Sequence, residues 1–206
     1  MFSSRLKYFL AVVPFLAMTS VPMHASTILS ENFDELTPTL DVTTAGVFST
    51  INGTNVDIVG AANGFPLCAA PESGNCVDLG GTGGDPYGQL GLTTELSLAA
   101  GTYDLAFDLI GSGRGYTTTT LVTFGSYSHS FTLASGDVTS GIVNVDVSIA
   151  GGPTQLEFVD QSSPDANVGA LLDNVSVSAV PEPSSLLLLG TGILGAAGLL
   201  RRRLTA

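Results

Sequence analysis

The sequence contains no tryptophan, two cysteines and few bases, with six lysines and arginines against 18 aspartates and glutamates. The bases are also unevenly placed, because five of them lie in the first seven or the last six residues. Residues 26–180 therefore keep one base, Arg114, against 17 acids, a net charge of −16. A surface with this charge repels phosphate backbones and anionic headgroups. The composition excludes nucleic acid as a partner and favours a domain that is soluble outside the cell.

Motifs of catalysis are missing as well, since neither G-x-S-x-G nor H-E-x-x-H occurs. His129 is the one histidine of residues 26–180 and lies in "SYSHSFTL", a pattern typical of an exposed strand. No motif singles out two acids as the carboxylate pair of a glycoside hydrolase. We therefore predict that the protein is not an enzyme, with an orphan glycan hydrolase as a distant alternative.

Two glycine-rich segments lack the partners that a ligand site needs. "GGTGGDPYG", residues 80–88, holds one copy of a G-G-x-G-x-D calcium repeat, whereas a β-roll shares each ion between consecutive copies. A loop is predicted there. "GSGRG", residues 111–115, lacks the lysine and the strand–turn–helix setting of a phosphate loop, so a hairpin turn is predicted.

The two cysteines lie in "CAAPESGNC", a region of proline and glycine turns. Because the chain begins with a signal-peptide pattern, "RLKYFLAVVPFLAM", it is expected to meet oxidising surroundings, so a disulfide between Cys68 and Cys76 is predicted. Closing so short a loop would stabilise the fold by roughly 2–3 kcal/mol on the chain-entropy model.

Both ends of the chain are typical of an exported protein. Arg5 and Lys7 precede the short apolar run "YFLAVVPFLAM", and "MHAS" offers a cleavage point after Ala25, so residues 1–25 are predicted to be a signal peptide. Residues 184–200 are uncharged and Leu-rich, and are just long enough for a transmembrane helix. The arginines of residues 201–203 would keep the following end cytoplasmic. On physical grounds this helix is either a permanent anchor or a processing signal.

The order of elements at the C-terminus resembles the PEP-CTERM sorting signal. It consists of a Pro-Glu-Pro motif, an apolar span with glycines and a final arginine cluster, here Pro181, Glu182, Pro183, Arg201, Arg202 and Arg203. The resemblance covers residues 181–206. It implies a Gram-negative-type bacterium and an exosortase as partner, which would cut the chain near the motif. The protein would then be held in the inner membrane by its helix until it is released toward the cell surface or an exopolysaccharide matrix.

The middle of the chain shows period-two alternation between turn clusters rather than a helical period. In "TYDLAFDLI", Tyr103 and Phe107 share one face with the leucines, while Asp104 and Asp108 take the other. In "IVNVDVSI" the aliphatic side chains of residues 143–149 alternate with polar ones. About ten such strands without helices predict an all-β fold for residues 26–180, an antiparallel β-sandwich or jelly roll.

The order "ENFD", "VDIVG", "CVDLGG", "LAAGTYDLAFDLIGSGRG", "HSFTL", "LEFVD" and "GALLDNVSV" is similar to galactose-binding-like jelly rolls. The closing "LLDNVSV" also looks like the last strand of many carbohydrate-binding modules. The resemblance implies either a matrix protein associated with exopolysaccharide or a binding module for a specific glycan. Because tryptophan is absent, the sugar contacts would fall to Tyr87, Tyr116 and Tyr127, since alternation places Tyr103 in the core.

Two acids occupy positions of apolar parity. By period-two spacing, Asp173 shares a strand face with Leu171 and Val175, and Glu31 shares one with Leu29. Both acids are therefore predicted to point inward. The first and last strands of a jelly roll often pair, so the two carboxylates would converge and bind a structural Ca²⁺, with Asp34 as a third ligand. Jelly-roll sugar-binding modules often hold calcium where their termini meet. The alternatives are a bulge that turns Asp173 outward, or pairing with Arg114.

Overall fold

The computed structural model describes residues 25–68, 74–82, 91–137, 143–162, 168–181, 190–195 and 201. The predicted signal peptide falls almost entirely outside the described residues, as do Tyr87, Glu182, Pro183, Arg202 and Arg203. Near the C-terminus, residues 190–195 are helical. No described helix has the length and apolar character needed to cross a membrane.

The described residues form thirteen strands with two short 3-10 turns, Ile51–Gly53 and Ala61–Asn63. The strands are β1 Ser26–Glu31, β2 Thr39–Val42, β3 Thr44–Ala45, β4 Phe48–Thr50, β5 Val56–Val59, β6 Cys76–Asp78, β7 Gly91–Leu98, β8 Gly101–Ile110, β9 Thr118–Phe124, β10 Tyr127–Leu133, β11 Val143–Ile149, β12 Gly152–Asp160 and β13 Leu171–Ala179.

The strands form two antiparallel sheets. The seven-stranded sheet has the order β11-β8-β13-β6-β5-β2, with β1 also paired to β13, and the six-stranded sheet has the order β10-β9-β12-β7-β4-β3. The prediction of an antiparallel β-sandwich is confirmed, as is the pairing of the first strand with the last. β8 and β9 belong to different sheets, however. The turn at residues 111–115 therefore crosses between sheets, and the prediction of a hairpin there is wrong.

Alternating side chains from both sheets fill the space between them. On β9 every second residue is buried, and β12 shows the same alternation from Thr154 to Asp160. The ring of Phe158 lies 5.2 Å from that of Phe107 in the other sheet and 6.1 Å from that of Phe48, each nearly edge to face. The contact with Phe107 joins the two sheets, whereas the contact with Phe48 lies within the six-stranded sheet.

β8 departs from simple alternation in its second half. Residues 105–110 are all buried. Asp108 is therefore buried, although the sequence predicted that it would be exposed to solvent. A second apolar cluster, made of Val59, Cys76, Ile110 and Leu171, covers the outer side of the sheet at this point. The seven-stranded sheet is thus buried on both faces near the start of β13.

Phe158→Ala should remove the central ring of the core and lower the free energy of unfolding by about 3–5 kcal/mol. Phe65→Ala is the matched control, because Phe65 is 38 % exposed, and it should change stability far less. Urea unfolding followed by circular dichroism measures both variants. Equal losses in the two would contradict the position of Phe158 between the sheets.

Candidate functional site

The predicted acid pair is separated by a bulge in β13. Asp173 lies opposite Asp108 of β8, but the next paired residue, Ser176, lies opposite Ala106, so one extra residue stands between them. Asn174 in this bulge has φ of 51°. The extra residue reverses the alternation. Asp173 therefore shares the outer face with Leu171, and the prediction that it faces inward with Val175 is wrong.

Glu31 remains on the inner side, since it lies opposite Val175. Its Oε1 accepts a hydrogen bond from the N–H of Phe33 at 3.1 Å, and its Oε2 accepts one from Val47 at 3.2 Å, in the turn between β3 and β4. Asp34 is exposed, and its Oδ1 accepts from the N–H of Asn75 at 2.9 Å. The structure does not bring these two acids and Asp173 to one point.

Within the described ranges, no three acids, cysteines or histidines are grouped as a metal site would require. The calcium site of Glu31, Asp34 and Asp173 therefore stays a prediction that no contact supports. The carboxylates of Glu31 and Asp34 are instead satisfied by backbone N–H groups.

Four buried carboxylates share the outer face of the seven-stranded sheet, and we call them the outer acids: Asp57, Asp78, Asp108 and Asp173. Asp57 lies opposite Asp78, and Asp173 opposite Asp108. Sequence reasoning missed Asp57 and Asp78 as buried groups. The signal available was their position inside the short apolar runs "VDIV" and "CVDL".

Asp78 is held by two backbone N–H groups and one guanidinium. Its Oδ1 accepts from the N–H of Gly80 at 2.9 Å and of Gly169 at 3.1 Å, and its Oδ2 lies 2.8 Å from the Arg114 guanidinium. Burial raises the pKa of Asp78 to about 7, and the nearby Asp57 adds to the rise, while the two N–H groups and Arg114 oppose it. Asp78 thus binds three separate loops, at Gly80 after β6, at Gly169 before β13 and at Arg114 between β8 and β9.

The disulfide prediction is confirmed, since Cys68 and Cys76 are bonded with their Cα atoms 5.8 Å apart. Cys76 is fully buried in the second apolar cluster, and Cys68 packs against the same cluster. The bridge therefore holds Cys68 against the outer face of the seven-stranded sheet, beside the outer acids.

The predicted tyrosine contacts are not brought together. Tyr116 is half exposed and precedes β9, whereas Tyr127 lies opposite Phe124 at the other end of that strand. Six residues of strand separate these ends, about 20 Å. Tyr103 is buried as predicted, and its hydroxyl donates to the Ala99 carbonyl at 3.0 Å.

Tyr127 begins a row of rings on β10. His129, which is exposed, lies 6.4 Å from Tyr127 and 4.7 Å from Phe131 between ring centroids. Burial raises the pKa of the Tyr127 hydroxyl. This partly covered row faces the core side at the edge of the six-stranded sheet, so only part of each ring is open to a ligand.

A polar groove lies on the six-stranded sheet, where the β9–β10 and β11–β12 turns meet. Its volume is about 440 Å³, and its lining includes Thr123, Ser126, Gln155 and Glu157. Glu157 accepts long hydrogen bonds of 3.4 Å from the hydroxyls of Thr93 and Thr123. The groove therefore offers a carboxylate, an amide and hydroxyls, and sequence reasoning missed it because its residues come from separate strands and turns.

Comparison with protein families matches residues 179–203 to the PEP-CTERM protein-sorting motif. The described members of the predicted motif, Pro181 and Arg201, lie within that match, and Arg201 is exposed. No curated protein matches the chain.

Solved structures with a similar fold include carbohydrate-binding modules. The xylan-binding domain from CBM 22 has a TM-score of 0.52 at 10 % identity, covering 75 % of this chain and 95 % of that chain. The CBM22-1–GH10 modules of Clostridium thermocellum xylanase 10B give 0.50 at 11 % identity, over 78 % of this chain and 30 % of theirs. The K1 cleaved adhesin domain of Lys-gingipain from Porphyromonas gingivalis W83 has a TM-score of 0.50 at 18 % identity, and the match covers 74 % of this chain and 98 % of that chain. At these identities the likeness concerns the fold.

Asp78 predicts a pH dependence of stability. Because its pKa is raised from 3.8 to about 7 in the folded protein, the folded state binds the proton more tightly than the unfolded state. This contribution to stability is complete below pH 3.8 and is lost as the pH rises through about 7. The melting temperature should therefore fall between pH 5 and pH 8.5.

Asp78→Asn should flatten that profile, because the amide carries no charge at either pH. Asp146→Asn is the control, since Asp146 is exposed on β11, and it should keep the wild-type slope. An unchanged slope in Asp78→Asn would show that Asp78 does not titrate in this range.

Proposed function

We propose that the protein is an exported, non-enzymatic bacterial surface or extracellular-matrix protein that an exosortase processes, and that its β-sandwich binds carbohydrate. The sorting motif at residues 179–203 carries the proposal of export. The protein would be held in the inner membrane by its C-terminal segment until exosortase cleavage, and would then associate with exopolysaccharide.

The polar groove carries the proposal of sugar binding. Sugar hydroxyls both donate and accept hydrogen bonds, and the groove supplies Glu157 as an acceptor beside the amide of Gln155 and the hydroxyl of Thr123. The two bonds that Glu157 accepts are long, so its oxygens can accept shorter, charge-assisted bonds from a ligand. The similar fold of the xylan-binding domain from CBM 22 supports the same function.

The charge of the domain narrows the class of glycan. Residues 26–180 carry a net charge of −16, which repels uronic-acid-rich or sulfated chains. We therefore expect a neutral polysaccharide to be the ligand.

Replacing Pro181, Glu182 and Pro183 by alanines should block recognition by the exosortase. In a strain that carries the enzyme, the variant should accumulate at full length in the membrane fraction, seen by immunoblotting after fractionation. Pro38→Ala, in the sandwich, serves as the control and should be processed normally. Release and trimming of the triple variant as in wild type would refute the motif as the signal.

Glu157→Gln should weaken binding to a neutral glycan about tenfold or more, because a hydrogen bond to a charged group contributes roughly 1.5–3 kcal/mol. A glycan array with the purified protein identifies the ligand, and calorimetry measures the affinity. Asp146→Asn, on the other sheet, should bind as wild type does. If the array shows no neutral glycan, or if Glu157→Gln binds normally, the groove is not the site.

A further inference from the structure

A second polar cluster lies inside the sandwich, away from both the groove and the outer acids. It consists of Thr118, Thr120, Asp160 and Ser162, which are all 5 % exposed or less. Thr120 and Asp160 are direct partners across β9 and β12, so their Cβ atoms stand about 5 Å apart. Thr118 lies two residues along the same face of β9, about 7 Å away. Three oxygen-bearing side chains therefore converge where apolar residues would be expected.

The hydroxyls of Thr118 and Thr120 are fully buried, and neither has a hydrogen-bond partner among the residues that the structure describes. Leaving such a group unsatisfied costs about 1–3 kcal/mol, whereas valine has nearly the same shape and would avoid that cost. Both residues lie on the same buried face of the strand as Val122 and Phe124. Two neighbouring unsatisfied hydroxyls point to an occupant that uses their oxygens.

Asp160 supplies a charge at the same place. Its Oδ1 accepts hydrogen bonds from the N–H of Ser162 at 3.1 Å and from the Ser162 hydroxyl. Burial raises the pKa of Asp160, while the bonds from Ser162 lower it. Asp160 is 5 % exposed, and a cation would offset the charge of its carboxylate in this position.

We propose that Asp160, Thr118 and Thr120 bind one hard cation between the sheets, through the carboxylate and the two hydroxyl oxygens. Oxygen donors of this kind suit calcium, with water completing the coordination. Sodium shares the same donor chemistry. This site is separate from the one predicted at Glu31 and Asp173, because it lies on β9 and β12 of the other sheet. The ion would tie the end of β12 to the start of β9.

The test is the melting temperature of the purified full chain, first stripped with chelator and exchanged into a choline buffer. Calcium alone, and separately sodium alone, are then added. The bound ion should raise the melting temperature by about 5–10 °C at a hundredfold excess over Kd. A response to calcium only identifies a divalent site, and an equal response to sodium identifies a monovalent one.

The double variant Thr118→Val, Thr120→Val should lose this response while keeping the shape of both side chains, and Asp160→Asn should lose it too. Thr119→Val is the matched control, because its side chain lies on the opposite face of β9 and bonds Thr132, so it should respond as wild type. A wild-type protein indifferent to both ions, with a double variant more stable than wild type, would overturn the proposal. A response that survives in the double variant would also overturn it, by placing the ion elsewhere.

Discussion

The fold depends on solvating buried carboxylates with almost no cations to pair with them. Residues 26–180 hold one base, and its guanidinium is bound to Asp78. The other hydrogen bonds come from backbone N–H groups and from uncharged side chains, such as the Thr82 hydroxyl to Asp57 and the Asn174 amide to Asp108. Asp78 accepts from two backbone N–H groups, Glu31 accepts from two, and Asp57 accepts from that of Asp41 at 2.8 Å. Each of these bonds is charge-assisted and therefore stronger than a bond between neutral groups. Buried and partly buried acids of this strongly negative domain therefore hold its loops.

This use of carboxylates places demands on the chain around them. Glu31 reaches from the first strand to the β3–β4 turn, and a Cβ at Gly46 would overlap its Oε2. Asp34 reaches residues 74–75, and a Cβ at Gly74 would overlap its Oδ1. Glycine at these two places lets an anion approach the backbone closely. The disulfide acts on the same region, since Cys76 directly follows Asn75. Electrostatics and covalent cross-linking thus order the same connections.

The alternation of apolar and polar residues predicted the two-sheet fold, the buried Tyr103 and the exposed residues of β11. This works because every second residue of a half-buried strand faces the core and is apolar. It failed for Asp173, since a bulge of one residue reverses the faces and Asn174 gives no local sign of it. It also failed for Asp57 and Asp78, whose short strands are buried on both faces and so show no polar side. The burial of Asp160 could have been predicted from the sequence, because in "LEFVD" it lies on the same face of the strand as Leu156 and Phe158. The groove could not, since strands far apart in sequence build it.

The ion pair between Arg114 and Asp78 also bears on how proteases would meet this domain. Proteases of the trypsin type bind a lysine or arginine side chain in a deep acidic pocket before they cut. Between residues 26 and 180 such an enzyme finds a single candidate bond, after Arg114. The side chain that it must capture is already held by a buried carboxylate 2.8 Å away. The scarcity of bases therefore leaves enzymes of this class one bond to cut within residues 26–180.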